Sequence, residues 1–209
     1  MSSKKKIGET TYKETSFGII PRSKLIPLEI EGIKRAWDFV LQNKNHASIP
    51  LTIPFFKKVH AIGFGWIFPE FGGKFRIDEV TVSNHIPPKY FLVPQLMEDF
   101  VRDLKFRLKC IPKIDDLSFF EEFTGLLAWA HQRFLWIHPF HDYNGRIARL
   151  LINMILLKFN FPPVELKVET LSTRKKYIRA LQKADSGEYS ELQKLIREAM
   201  EESMKEFQL

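Results

Sequence analysis

Apolar residues recur along most of the chain at the three-to-four spacing of helices that bury one face. The first such run predicts a helix over Leu28–Leu41, with Ile30, Ile33, Ala36, Trp37 and Val40 turned inward. Thr52 is placed to cap a second helix, with Pro54 in its tolerated first turn and Phe55, Val59 and Ile62 on one face. Periodicity resumes at Val93 with Leu96, Met97, Phe100, Leu104 and Leu108. It resumes again after Ser118, a candidate cap, with Phe123, Leu127, Ala130, Phe134 and Ile137. Three more helices are predicted, from about Asn144 to Phe159, near Thr173–Ala184 and near Tyr189–Phe207. Pro162-Pro163 follows the first of these, and Asp185-Ser186-Gly187 separates the other two.

The interruptions are equally informative. Residues 1–27 are polar and turn-rich and read as an N-terminal arm ahead of a domain over 28–209. Between the second and third helices lies FPEFGGKFRIDEVTVSNHIPPKY, where Gly72-Gly73 breaks structure and short β-prone runs follow at Phe75–Ile77 and Val80–Val82. This segment predicts a small hairpin or flap. Asp78-Glu79 is a poor two-residue turn, so a wider tip is expected. With helices dominating and no strand–helix alternation, the expected architecture is an all-α domain with a small β-hairpin flap.

Composition narrows the function classes. At 209 residues and 44% apolar, the chain suits one domain with a proper core. The 19 phenylalanines predict that this core is aromatic, with Trp37, Trp66, Trp129 and Trp136 belonging to it. Cys110 is the single cysteine, so no disulfide forms within the chain. No stretch approaches 18 uninterrupted apolar residues, and the start, MSSKKKIGETTYKETS, lacks the apolar segment of a secretory leader. The expectation is a cytoplasmic protein without a membrane span. Net charge is +7 and the pI about 9.4. Lysines are scattered apart from Lys4-Lys5-Lys6 and Arg174-Lys175-Lys176, which read as solvated surface, and no zinc-finger or RNA-binding aromatic motif argues for a nucleic-acid partner.

One stretch carries chemistry: Ile137–Leu151, IHPFHDYNGRIARLL. An Asn-Gly pair opens a strongly apolar helix whose first backbone N–H groups are unpaired, so the turn is a nest for phosphate oxygens, with Gly145 free to take unusual dihedrals. Arg146 and Arg149 sit three apart on one face of the first turns, where two cations oppose the helix dipole unless an anion is bound. Asp142, just before the turn, is placed to hold Mg²⁺ against such phosphates. The positive helix end favours a neutral His138 able to accept a proton. A base, a metal carboxylate, an anion nest and two arginines within twelve residues read as nucleotide phosphate chemistry. His138, His141 and Asp142 could also suggest a transition-metal site, but Pro139 prevents one helix face from carrying both imidazoles.

The segment resembles the signature of the Fic family, HPFx[D/E]GNGRxxR, matching at His138, Pro139, Phe140, Asp142, Asn144, Gly145, Arg146 and Arg149. PEFGGKFR, NHIPP and YIRALQKAD resemble the family's segments before the flap, at its exit and in a later helix, so the resemblance runs from about Leu28 onward. It implies transfer of AMP from ATP to a Ser, Thr or Tyr hydroxyl of a target protein, with His138 as base and pyrophosphate leaving. It further implies that Phe140 anchors the loop, Asp142 binds Mg²⁺, Asn144 and the Gly145 amide form the anion hole, and Arg146 and Arg149 hold the β- and γ-phosphates. Tyr177 and Asp185 fall where the adenine pocket is expected, and the flap around Lys74–Ser83 would pin the target. Members that phosphorylate have Lys where this chain has Gly145, and members that move phosphocholine or other nucleotides share most of the motif. A non-catalytic module also stays open at this level.

Tyr143 is the one departure, where the family has Gly. Its ring is expected to point outward and line the entrance, and Tyr143→Gly to leave activity intact or raise it. Family members often carry an inhibitory [S/T]xxxE[G/N] helix whose Glu pairs with the second motif arginine, here Arg149. The only Glu followed by Gly or Asn is Glu31, with Pro27 four residues before it, and the nearest loose match is Thr10 with Glu14. Restraint is therefore expected from a separate inhibitory partner, from assembly, or from nothing at all.

Overall fold

A computed structural model of the chain describes residues 12–43, 45–82, 85–168 and 170–207. The Lys4-Lys5-Lys6 cluster, Thr10 and Ser83 lie outside the described residues. Tyr12–Thr15 (β1) and Gly18–Pro21 (β2) form an antiparallel hairpin. Seven α-helices follow among the described residues: α1 (Arg22–Leu41), α2 (Ile53–His60), α3 (Val93–Cys110), α4 (Phe119–Ile137), α5 (Asn144–Lys158), α6 (Leu171–Asp185) and α7 (Ser190–Glu206). The all-α expectation holds, and so does the small hairpin, but the hairpin lies in the stretch read as an arm. Among the described residues the flap segment instead forms no paired strands and is tied by single bridges between Phe75 and Phe140 and between Val82 and His85.

α5 runs through the centre. Ile147, Ala148, Leu151, Met154, Ile155 and Leu156 are all fully buried, as befits a helix apolar on nearly every side. α4 packs against it with its predicted inner residues Phe123, Leu127, Ala130, Phe134 and Ile137 buried. Phenylalanine does build the core: Phe56, Phe100 and Phe134 form one mutually packed ring cluster, and Phe119, Phe123, Phe159 and Phe161 another. The tryptophans do not sink fully into it. They are half-buried, and Arg35, Arg107 and Arg133 lie over the faces of Trp66, Trp129 and Trp136.

Local signals fixed some ends and misplaced others. Thr52 caps α2 by accepting from the Phe55 N–H, and Thr170 caps α6 by accepting from that of Thr173. Ser118 does not cap α4; its hydroxyl and N–H bond Asp116, whose carboxylate organises that turn. α1 begins six residues earlier than expected, with Pro27 inside it. A π-turn at Ala61–Gly65 inserts an extra residue after α2, so Phe64 rather than Ile62 becomes fully buried. α1 crosses this turn at Gly32, where a Cβ would meet the Gly63 carbonyl oxygen at 2.2 Å. That close crossing presents the start of α1 to the loop between α4 and α5.

Candidate active site

The loop His138–Tyr143 joins the two most buried helices and is fixed from both sides. Phe140 is fully buried, and His60 from α2 stacks on it at 4.0 Å. His60 Nδ1 accepts from the Gly73 N–H, so Nε2 carries the proton and donates to the Asp142 carbonyl at 3.2 Å. On the other side, Arg76 is 4% exposed. Its guanidinium donates to the carbonyls of His138 (2.8 Å), Asp78 (3.0 Å), Ile137 (3.4 Å) and Pro88, and its own N–H donates to the Pro139 carbonyl (2.9 Å). A planar five-donor group is the side chain suited to gather several carbonyls at once. Neither His60 nor Arg76 stood out in the sequence, because their partners are backbone groups up to 82 residues away.

Two loop residues adopt the left-handed conformation, His138 at φ 50° and Tyr143 at φ 63°. His138 ends α4, and its Nδ1 faces the Leu135 carbonyl at 3.3 Å. A carbonyl can only accept, so Nδ1 holds the proton and Nε2 keeps its lone pair. Burial pushes the His138 imidazole down to about 4 against the bond to Leu135, with Arg76 and His85 adding to the fall. The imidazole is neutral, as the sequence suggested, but the main cause is desolvation rather than the helix end.

A cavity of about 460 Å³ opens beside this loop. Of the residues singled out in the sequence, His138, Gly145, Arg146, Arg149, Tyr177 and Asp185 line it together. Val82 and His85 from the flap segment reach the same cavity, as do Arg22 and Arg174. Arg174 had been counted as solvated surface. Gly145 has no positive φ, contrary to expectation; it lies in the first turn of α5, where a Cβ would come to 3.7 Å from Arg149 Nη1. Its lack of a side chain keeps the mouth beside Arg149 open. Beside Arg149, the Tyr177 hydroxyl donates to His131 Nε2 at 2.6 Å, and His131 Nδ1 donates to the Ala148 carbonyl at 3.1 Å. Burial pushes the Tyr177 phenol up to about 12 and His131 down to about 4, so both stay neutral as members of that chain. Asp185 accepts from Gln132 at 2.9 Å and lies 3.8 Å from His85 Nδ1.

Three of the expected residues sit differently from what the sequence suggested. Asn144 is 1% exposed, and its side chain exchanges two hydrogen bonds with the Phe140 backbone, at 2.9 and 2.8 Å. It shapes the turn, with its oxygen and one amide N–H committed to Phe140. Asp142 does not line the cavity; Lys13 Nζ of β1 meets its Oδ2 at 2.5 Å while Oδ1 accepts from the Tyr143 N–H. Burial opposes ionisation of Asp142, yet Lys13 and that N–H hold its carboxyl below the usual range. Tyr143 points inward, not outward. It is 7% exposed, stacks on Phe64 at 4.0 Å, and donates its hydroxyl to Glu29 at 2.8 Å. His141 lies against Phe71, 4.0 Å from Asp78, and does not converge with His138. Glu31 pairs with Arg35 in the middle of α1, and Glu14 is exposed in β1. Sequence reasoning missed Glu29 altogether, although it salt-bridges Arg146 at 2.7 Å.

The buried histidines make stability pH-dependent. His60, His131 and His138 each titrate near 4 in the fold, below the ordinary value of 6.5. Between those values the unfolded chain binds the protons and the folded chain does not, so stability present above about pH 6.5 is lost as pH falls toward 4. Each histidine contributes a slope approaching about 1.4 kcal/mol per pH unit. Urea midpoints measured at pH 8, 6 and 5 should drop stepwise, and a flat series would contradict the buried neutral imidazoles.

Comparison with known proteins follows the motif. The family model described as Fic/DOC matches residues 50–156. The chain is similar to the protein adenylyltransferase Fic of Nematostella vectensis, at 31% identity over 84% of this chain and 38% of the relative. It is equally similar to that of Culex quinquefasciatus, at 31% over 84% of this chain and 33% of the relative. The chain thus spans between a third and two-fifths of the length of these curated relatives. Among solved structures, Fic-1 from C. elegans superposes with a TM-score of 0.66 at 28% identity, over 86% of this chain and 50% of that one. A Fic-domain-containing signaling protein from Bacteroides thetaiotaomicron shares the fold, with a TM-score of 0.70 at 19% identity over 85% and 69% of the two chains.

Proposed function

Because this chain belongs to the Fic/DOC family, we propose that it transfers AMP from ATP to a Ser, Thr or Tyr hydroxyl of a target protein, releasing pyrophosphate. The observation that carries this reading is one cavity holding both an uncharged imidazole with a free lone pair, at His138, and two arginines of the α5 start, Arg146 and Arg149. His138 Nε2 takes the hydroxyl proton as the oxygen attacks the α-phosphorus. The bond from that phosphorus to the bridging oxygen breaks, and the charge accumulating on the departing pyrophosphate falls on Arg146, Arg149 and the first backbone N–H groups of α5. Arg146 Nη1 is buried without a partner, a donor that a phosphate oxygen would satisfy. Tyr177 and Asp185 would border the nucleoside end.

Among the described residues no three His, Cys, Asp or Glu side chains cluster as a protein-only metal cage. Asp142 nevertheless fits Mg²⁺, which is commonly held by one or two carboxylates together with substrate phosphates. Lys13 would have to yield Oδ2 for that ion, which would supply charge neutralisation at the phosphates. A target segment would lie along Lys74–Ser83, a stretch bridged to the loop before α5 between Phe75 and Phe140. A restraining glutamate would come from a separate partner; among the described residues no carboxylate pairs with Arg149. No helix among the described residues is long and apolar enough to cross a membrane. A cytoplasmic setting completes the reading.

Incubation with ATP labelled at the α-phosphate tests it. Covalent label on protein is the expected result. Label transferred only from the γ-phosphate would replace AMP transfer with phosphorylation, and label on neither would leave a binding module.

A further inference from the structure

Glu29 is the least expected residue at this site. Its carboxylate is 1% exposed, yet it is fully partnered. Oε1 accepts from Arg22 Nη1 at 2.5 Å and from the Tyr143 hydroxyl at 2.8 Å, and Oε2 accepts from Arg146 Nη2 at 2.7 Å. An ionised carboxylate in such a place is tolerable only with several donors of this kind. Burial works against ionisation, but Arg22 and Arg146 hold the group below the usual carboxylate range. Two guanidiniums share one carboxylate, so the cluster keeps one net positive charge, and both arginines line the cavity.

We propose that Glu29 is a positioning residue for Arg146, and that Tyr143 is part of the device that holds Glu29 rather than damage to the motif. The inference rests on the reading of Arg146 as a ligand of the ATP phosphates. An arginine side chain at a helix start has many rotamers. Here Nη2 is tied down by Glu29, which leaves Nη1, buried and unpartnered, as the donor for a ligand. Tyr143 fixes the carboxylate in turn. The left-handed conformation is unfavourable for a tyrosine, and what offsets it here is a ring stacked within 8° of parallel on Phe64, packed against Phe68, and ending in the bond to Glu29. Glycine at this position would relieve the backbone but remove both the ring and the hydroxyl. The expectation that Tyr143→Gly leaves activity intact is therefore reversed.

Affinity for two nucleotides provides the test, because Arg146 would contact phosphates that ATP has and AMP lacks. Wild type, Glu29→Gln and Tyr143→Phe are titrated with ATP and with AMP by calorimetry, after thermal melts confirm folding. Tyr143→Phe keeps the ring and loses only the hydroxyl. The expected result is ATP affinity reduced about tenfold by Glu29→Gln and about three- to tenfold by Tyr143→Phe, with AMP affinity unchanged in both. Unchanged ATP affinity in both variants would overturn the proposal. So would a gain in ATP affinity, which would mean that Glu29 withholds Arg146 instead of presenting it. Equal losses for ATP and AMP would overturn it too, since they would show a structural role alone. A wild type that binds ATP no better than AMP would refute the parent reading of the arginines instead.

Discussion

His138→Ala should lower AMP transfer by about 10²–10⁴ while ATP affinity and the melting temperature stay near wild type. The imidazole is suited to one task. Its Nδ1 is committed to the Leu135 carbonyl, its Nε2 is free, and burial keeps it unprotonated across the working pH range. It holds no other described side chain in place, so its removal leaves the arginines and the core untouched. Label from α-labelled ATP, counted at fixed time on folded mutant and wild type, makes the comparison. Near-normal labelling would remove His138 from the chemistry. Transfer by the wild type should also show no titration near pH 6.5, the ordinary histidine value, over the range where the protein stays folded.

Arg76→Ala should be nearly as damaging, through a different route. The side chain touches no reacting atom in this scheme; it gathers carbonyls from Ile137, His138, Asp78 and Pro88. Deleting it strands those acceptors in a largely buried place, at about 1–3 kcal/mol for each one that water cannot reach. It also frees the loop that aims His138, and a displacement of about 1 Å at a catalytic group can cost 10²-fold in rate. The expected outcome is a fall of several kcal/mol in urea stability together with at least a hundredfold loss of transfer. Arg76→Lys should restore little of either, since an ammonium cannot span four carbonyls. Full activity in Arg76→Lys would show that only the charge matters.

Much of this protein is written locally. The helical stripes placed α2 to α7 to within a few residues, because burial of one face imposes its own period on the sequence. The motif turn was equally legible. His138, Gly145, Arg146 and Arg149 lie within twelve residues, and chain continuity alone brings them to one cavity, with Tyr177 and Asp185 added from α6. The resemblance of that turn to a known family carried the functional reading, and the family match confirmed the membership.

What the sequence hid shares one cause: the partner lies far along the chain. Pro27 suggests a helix start, but α1 extends back to Arg22, and its early turns carry the fully buried Leu25 and the partners of the α5 loop. Asn144 reads as a ligand until its side chain is seen spent on Phe140. The run over residues 12–21 has no sustained apolar alternation to declare a hairpin, and its contacts with Trp66, Ile67 and Asp142 come from elsewhere in the fold. Tyr143 by itself suggests a lesion or an exposed ring. Only packing shows the slot between Phe64, Phe68 and Glu29 that makes a left-handed tyrosine tolerable, with the last of these 114 residues away. The sequence marked most of the residues that the proposed chemistry needs, since their spacing is short and helical. The tertiary structure decided what holds them, because buried ion pairs and ring stacks join residues that no local pattern connects.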